Sequence, residues 1–197
     1  IWMVGPDERL ILLPGRLSRW KGQHLFLDVL KRMKAAGQLP PGVKAVIAGD
    51  PQGREQYLNE LDEIIRTSLG DVAVLSGHIT DMPAAYTAAD IVISASIEPE
   101  AFGRVPPEAA AMERPVIATD HGGARETMLP GQTGLLVKPG DVQAMADALA
   151  GLLVRQPAEL QAIGRKGRAF VSERFSVERM CADTLEIYRK HMKPRAK

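Results

Sequence analysis

Two carboxylates, Glu100 and Glu108, straddle a short loop that contains Phe102-Gly103. Pro106-Pro107 precede Glu108, and proline favours the first helical turn, so Glu108 is expected near a helix N-terminus. Just before the loop, Ile91-Val92-Ile93-Ser94 is an apolar, β-branched run of the kind that forms a strand buried on both faces. Both acids are therefore expected at the carboxyl end of a parallel strand, where open α/β sheets bind their ligands. Carboxylates accept hydrogen bonds from vicinal hydroxyls and bare loop amides donate to oxygens, so the pair suits a polyhydroxylated ligand. Glu98 lies one step outside and reads as solvated.

A second cluster, Gly15-Arg16-Leu17-Ser18-Arg19-Trp20-Lys21-Gly22, follows the first apolar run. Its glycines permit tight turns, and the helix expected next offers free N–H groups. Arg16, Arg19 and Lys21 gather there, although positive charge beside a helix N-terminus is unfavourable by about 0.3–1 kcal/mol per group. A bound diphosphate resolves that conflict, with Arg16 forked onto two oxygens and Lys21 acting as a point charge. The plain alternative is a solvated basic loop, or pairing with Asp28 or a glutamate elsewhere, and the anion site is preferred over it. The segment is neither a Walker A loop nor a Gly-x-Gly-x-x-Gly fingerprint.

Other candidates carry less. Gly77-His78-Ile79 is expected just past a third strand, where its backbone can meet a nucleobase. Gly122-Gly123 can let the backbone approach a phosphate or sugar, or can simply turn the chain. Asp90 reads as a turn or cap residue. His24, His121 and His191 show no metal-ligand spacing, and no metal site is expected. Cys181 falls in the stripe Val177, Met180, Cys181, Thr184, Leu185, Tyr188, which reads as helical core rather than as the setting of a nucleophile.

The elements that must position these groups alternate along the chain, as in a parallel sheet with crossover helices on both faces. About six strands are expected, at residues 10–14, 43–48, 72–75, 91–94, 116–118 and 135–137. Leu25, Phe26, Val29, Leu30 and Met33 recur at helical spacing, with Gly37 as the stop. Tyr57, Leu58, Leu61, Ile64 and Ile65 mark a second helix, and residues 82–88 a shorter third. Asp141 is the expected N-cap of a helix over 142–153, with Met145, Leu149, Leu152 and Leu153 on one face. Residues 157–191 read as two C-terminal helices broken near Phe175-Ser176.

Bulk properties narrow the class. The chain has 197 residues, 45% of them apolar and 25% charged, with a net charge of +1. That length accommodates one domain, 1–197, with a core that needs no disulfide or metal. The near-neutral balance gives no reason to expect a nucleic-acid surface. One cysteine excludes an internal disulfide and fits a reducing, cytoplasmic setting. No apolar run approaches the roughly 20 residues that cross a bilayer. The chain opens at Ile1 almost directly into a strand, which points to a piece of something longer.

Taken together, Gly15-Arg16 with Lys21-Gly22, Glu100 through Glu108, Pro115-Val116-Ile117-Ala118, Gly122-Gly123, Glu126 and Thr133-Gly134-Leu135-Leu136-Val137 resemble the C-terminal half of a retaining glycosyltransferase of family four, in the GT-B architecture. The match runs from Leu10 to Tyr188. It departs from the family at Glu113-Arg114, where glycine is frequent, and at Pro107 and Ala110. The resemblance implies a Rossmann-like half of a GT-B enzyme that binds a nucleotide-diphosphate sugar, UDP- or GDP-linked, as substrate and needs no other cofactor. In that reading Gly15, Arg16 and Lys21 hold the diphosphate, and Glu108 grips the ribose. Glu100 and the amides of Phe102 and Gly103 hold the sugar, the Gly77–Ile79 loop with His78 and Ile79 carries the base, and Arg104 is a further donor-binding residue. Arg16 and Lys21 would stabilise charge on the leaving diphosphate, with Glu100 orienting the donor.

The acceptor, a glycan or glycolipid, would belong to an N-terminal domain outside this chain, so the fragment alone is expected to transfer little. Surface-glycan or lipopolysaccharide synthesis fits the run from Glu98 to Arg104. Peripheral association of the full-length protein with the inner membrane face would lie in the missing domain, and Lys190, Lys193, Arg195 and Lys197 give at most a weak basic tail. Two rival readings remain open: an epimerase of the same architecture, or a nucleotide- or glycan-binding module without chemistry. A phosphorylase would want a lysine for pyridoxal phosphate, for which no signature is present.

Overall fold

The computed structural model describes residue 5 and residues 8–192. Lys193, Arg195 and Lys197, which carry most of the basic tail, lie outside the described residues. Six parallel strands form one sheet: β1 (Arg9–Pro14), β2 (Val43–Ala48), β3 (Ala73–Gly77), β4 (Ile91–Ser94), β5 (Val116–Thr119) and β6 (Gly134–Val137). Their order is β3-β2-β1-β4-β5-β6, so the winding reverses between β1 and β4 at the centre. In a doubly wound sheet, loops diverge at that switch point and leave a crevice beyond the strand ends.

Alternation along each strand explains why both faces are covered. Ile11, Leu13, Ala45, Ile47, Ile91, Ile93 and Ile117 point into one core. There they meet α1 (Gln23–Ala35), α2 (Glu55–Ile64) and α6 (Val142–Leu153) through Phe26, Leu30, Leu61, Met145 and Leu149. Leu10, Leu12, Val46, Val92, Val116 and Ala118 point the other way. On that side they meet α3 (Met82–Ala88) and α4 (Val105–Ala111) through Ala85, Tyr86 and Ala109. Burying a Leu or Ile side chain contributes about 1.5–3 kcal/mol, so these two layers hold the sheet in place.

Most expected elements are present, with shifted ends. The third strand starts one residue later and runs to Gly77, with a register irregularity opposite Ile47/Ala48. The second helix passes into a π-turn at Ile65–Leu69. One short helix, α5 (Ala124–Thr127), went unread in the sequence. Asp141 caps α6 as expected, accepting the Ala144 N–H at 2.9 Å. Asp90 does more than turn the chain: it accepts the Leu10 N–H at 2.8 Å and pairs with Arg9 at 3.2 Å, fastening the start of β1 to that of β4.

The tail breaks at Phe175-Ser176 as expected, into α7 (Pro157–Arg174) and α8 (Val177–His191). α7 packs on α4, and Gly164 lets it approach Glu113, whose left-handed backbone (φ 58°) makes the helix exit that the sequence departure foreshadowed. The expectation for α8 is overturned. No residue of α8 is buried, and Met180 and Tyr188 are 60% and 61% exposed. Its stripe has helical spacing but nothing among the described residues covers it, and Cys181 is an exposed thiol rather than core.

Candidate functional site

The loop after β1 makes a single 3-10 turn, Arg19–Lys21, before α1 begins at Gln23. Gly22 joins the two in the left-handed region (φ 76°), and a Cβ there would lie 1.9 Å from the Ala95 carbonyl oxygen. Only glycine lets the Lys21 turn press against the end of β4. On the far side, Gly123 N–H donates to the Glu100 carbonyl at 2.9 Å. A Cβ on Gly123 would lie 2.0 Å from the Phe102 carbonyl oxygen. The glycine pair thus brings backbone against the Glu100 loop, rather than leaving it open to a phosphate.

These close approaches bring every expected ligand residue to one cavity. Gly15, Arg16, Lys21, His78, Ile79, Glu100, Phe102, Gly103, Arg104 and Glu108 all line a crevice of about 650 Å³ at the carboxyl edge of the sheet. Glu98 stays outside it and exposed, as expected. Among the described residues, the amides of Phe102 and Gly103 have no hydrogen-bond partner.

The charges pair in ways the sequence did not show. Lys21 Nζ donates to Glu100 Oε2 at 2.7 Å, with the two side chains 15% and 18% exposed. Ser96 Oγ donates to Glu100 Oε1 at 2.5 Å. Arg19 does not face the crevice; it binds Glu60 at 2.8 Å and stacks over Tyr57. The plain alternative, pairing with a distant glutamate, therefore holds for Arg19 outside the crevice, and Lys21 also pairs with one, Glu100, inside it. Arg16 is left exposed, and its one side-chain hydrogen bond among the described residues is to Gln52 at 3.4 Å. Trp20 sits beneath both remaining cations, 5.8 Å from the Arg16 guanidinium and 4.6 Å from Lys21 Nζ.

Glu108 lies in the first turn of α4, as expected after its prolines. It accepts the Tyr86 hydroxyl at 2.8 Å and lies 3.8 Å from Arg104. Burial of Tyr86, reinforced by the Glu108 charge, pushes the phenol far above its usual range, so it stays a proton donor throughout working pH. Away from the crevice, burial pushes Tyr57 up to about 12. Burial, aided by Arg19, also holds His24 below its usual value despite Glu60 at 3.6 Å. Among the described residues, no group of three or more His, Cys, Asp or Glu side chains is placed to hold a metal.

Sequence reasoning missed Ser96, Trp20 and Tyr86, whose roles depend on contacts between loops. Asp50 and Gln52, from the loop after β2, also line the crevice. Each carboxylate keeps free lone pairs after its internal bonds, so both can still accept from ligand hydroxyls. A cationic wall on one side and acids with bare amides on the other make a place for an anion attached to a polyol.

A doubly wound parallel sheet with its crevice at the β1/β4 switch is a Rossmann-like α/β fold that binds ligands at that edge. The chain belongs to the glycosyl transferases group 1 family, whose model matches residues 8–155. It is 31% identical to the lipopolysaccharide core biosynthesis mannosyltransferase LpsB of Rhizobium meliloti, over 96% of this chain and 54% of that protein. A crystal structure of a glycosyltransferase from Rickettsia africae superposes with a TM-score of 0.85 at 33% identity, covering 95% of this chain and 48% of that one. Anabaena Alr3699/HepE in complex with UDP superposes with a TM-score of 0.81, also at 33% identity, covering 92% and 49%. The chain thus spans about half the length of the relatives it matches. Among the described residues, no helix is long and apolar enough to cross a membrane.

Proposed function

We propose that this chain is the donor-binding half of a retaining glycosyltransferase and takes a nucleotide-diphosphate sugar into the β1/β4 crevice. The observation that carries this reading is the convergence of Arg16 and Lys21 with Glu100 and Glu108 on one cavity. The diphosphate sits against Arg16, Lys21 and Gly15, the ribose on Glu108, the base along His78 and Ile79, and the sugar on Glu100, Phe102, Gly103 and Arg104. The UDP complex of the Anabaena relative supports a nucleotide ligand. As the leaving diphosphate gains charge, fixed cations stabilise it without reorganising. Lys21 must then share its proton donors between Glu100 and the phosphate, which couples sugar and diphosphate binding.

The acceptor belongs to the remainder of the full-length protein, so this chain alone transfers little or nothing. A glycan or glycolipid acceptor in surface-glycan synthesis is the setting proposed, in line with the lipopolysaccharide core biosynthesis relative. Calorimetry with UDP, GDP and ADP tests the reading. One nucleotide binds the wild type, and Arg16→Ala weakens it at least tenfold, about 1.4 kcal/mol. Failure of all three to bind would favour a glycan-binding or structural module. Glu100 orients the donor rather than attacking it: in the full-length enzyme Glu100→Gln slows transfer, and mass spectrometry finds no glycosyl adduct at position 100.

A further inference from the structure

A small polar knot lies behind Glu100, and the donor reading above makes no use of it. The Ser96 carbonyl receives two hydrogen bonds, from Thr119 Oγ1 at 2.7 Å and from His121 Nε2 at 2.8 Å. A carbonyl only accepts, so Nε2 carries a proton, and in the neutral ring Nδ1 is left as a lone-pair acceptor. That Nδ1 is buried and has no partner in the structure. The same Ser96 gives its hydroxyl to Glu100 Oε1 at 2.5 Å. His121, Thr119, Ser96 and Glu100 share the lining of a cleft of about 10 Å³ that adjoins the main crevice through Glu100 and Gly103.

We propose that His121 is a positioning residue for the donor sugar, acting through Ser96 on Glu100; this rests on the donor-binding reading above. The chain of contacts is continuous: imidazole N–H to carbonyl, the hydroxyl of that same residue to carboxylate, carboxylate to Lys21. The Ser96 backbone lies just past β4, beyond the last ladder pair, so nothing in the sheet fixes its peptide plane. Its peptide is held instead by three bonds: the Ile97 N–H of the same peptide unit donates to the Trp20 carbonyl at 2.7 Å, and Thr119 and His121 donate to the Ser96 carbonyl. An aliphatic side chain at 121 would leave no acceptor stranded, yet it would release one of those three bonds. A stranded acceptor is unfavourable and calls for an explanation. Here the stranded Nδ1 accompanies the N–H that orients Ser96. His121 touches no ligand in this scheme and nucleotide recognition feels Glu100 only through Lys21, so losing His121 should weaken sugar recognition more than nucleotide recognition.

The test compares each nucleotide with its sugar derivative by calorimetry on this chain, using UDP with UDP-glucose and GDP with GDP-mannose. The wild type binds the preferred sugar nucleotide more tightly than the parent nucleotide. His121→Leu reduces that sugar increment by about tenfold while parent-nucleotide affinity stays within about threefold, the scale of one hydrogen bond to a charged group. His121→Gln restores it, because the glutamine amide places an N–H where Nε2 stands. Thermal melting shows that both variants fold. Equal losses for nucleotide and sugar nucleotide, or a His121→Leu variant with an intact increment, would overturn the proposal. So would a wild type that binds nucleotide but gains nothing from the sugar, which leaves the nucleotide reading standing. A wild type that binds no nucleotide removes both.

Discussion

Glu100 and Glu108 stand on either side of one loop, yet the fold supports them by different means. Glu100 is held by a cation and a hydroxyl, Lys21 and Ser96, on a loop whose placement depends on a neighbouring glycine turn. Glu108 is held by a neutral phenol that is itself buried in the core, on the first turn of a helix. The first arrangement can exchange partners when an anion arrives, because Lys21 has other N–H groups and Glu100 other lone pairs. The second is anchored before any ligand comes. Paired acids of identical type can therefore serve as one adaptable contact and one fixed contact.

The comparison breaks most severely at the glycine turn. Gly123→Ala drives a Cβ into the Phe102 carbonyl, so the Glu100 loop must shift while α4 and Glu108 stay. Urea unfolding is expected to show a loss of about 3 kcal/mol, the scale of strained or overpacked sites. A loss below about 1 kcal/mol would mean that the loop relaxes freely and that Glu100 is not fixed from behind. Next, Lys21→Ala leaves a partly buried carboxylate without its cation, with an expected cost of about 2 kcal/mol, below the range for fully buried pairs. The double variant Lys21→Met/Glu100→Gln recovers stability but not nucleotide-sugar affinity. Recovery of both would show that the pair is structural.

Tyr86→Phe removes the neutral support of Glu108 and costs about 1 kcal/mol in the same assay. Nucleotide affinity falls a few-fold, and the sugar increment is unchanged. The smallest effect lies outside both acids and serves as their control. Burial lowers the His24 pKa in the folded state, so between that value and the unfolded 6.5 the unfolded chain binds more protons. Stability is full above pH 6.5, falls as pH drops through that window, and levels off once the folded ring is also charged. His24→Gln flattens that slope in pH-dependent melting; an unaltered slope would assign it to other groups.

The sheet was legible because its strands are short β-branched runs buried on both faces, and Ile91-Val92-Ile93-Ser94 and Val43 through Ala48 could hardly be anything else. The ligand residues were legible because they sit at strand ends beside glycine. Partners across loops were not. Arg16 and Arg19 look alike in sequence, but the 3-10 turn sends one to the crevice and the other to Glu60. The stripes of α6 and α8 have the same spacing, yet Met145 and Leu149 are buried while Met180 and Tyr188 are bare. Periodicity records that a face is apolar and says nothing about what covers it. His121 was weighed only as a metal ligand, because its partner is a carbonyl and carbonyls leave no trace in sequence.

The winding reversal between β1 and β4 has a mechanical consequence. These central strands share two register pairs, Ile11 with Ile91 and Leu12 with Val92, whereas β1 and β2 share six. Arg16 and Lys21 hang from one flank of this sparse junction and Glu100 and Glu108 from the other. A molecule gripping both flanks acts as a suture across the midline. Its arrival should slow deuterium uptake at β1 and β4 amides more than at β6, far from where it binds.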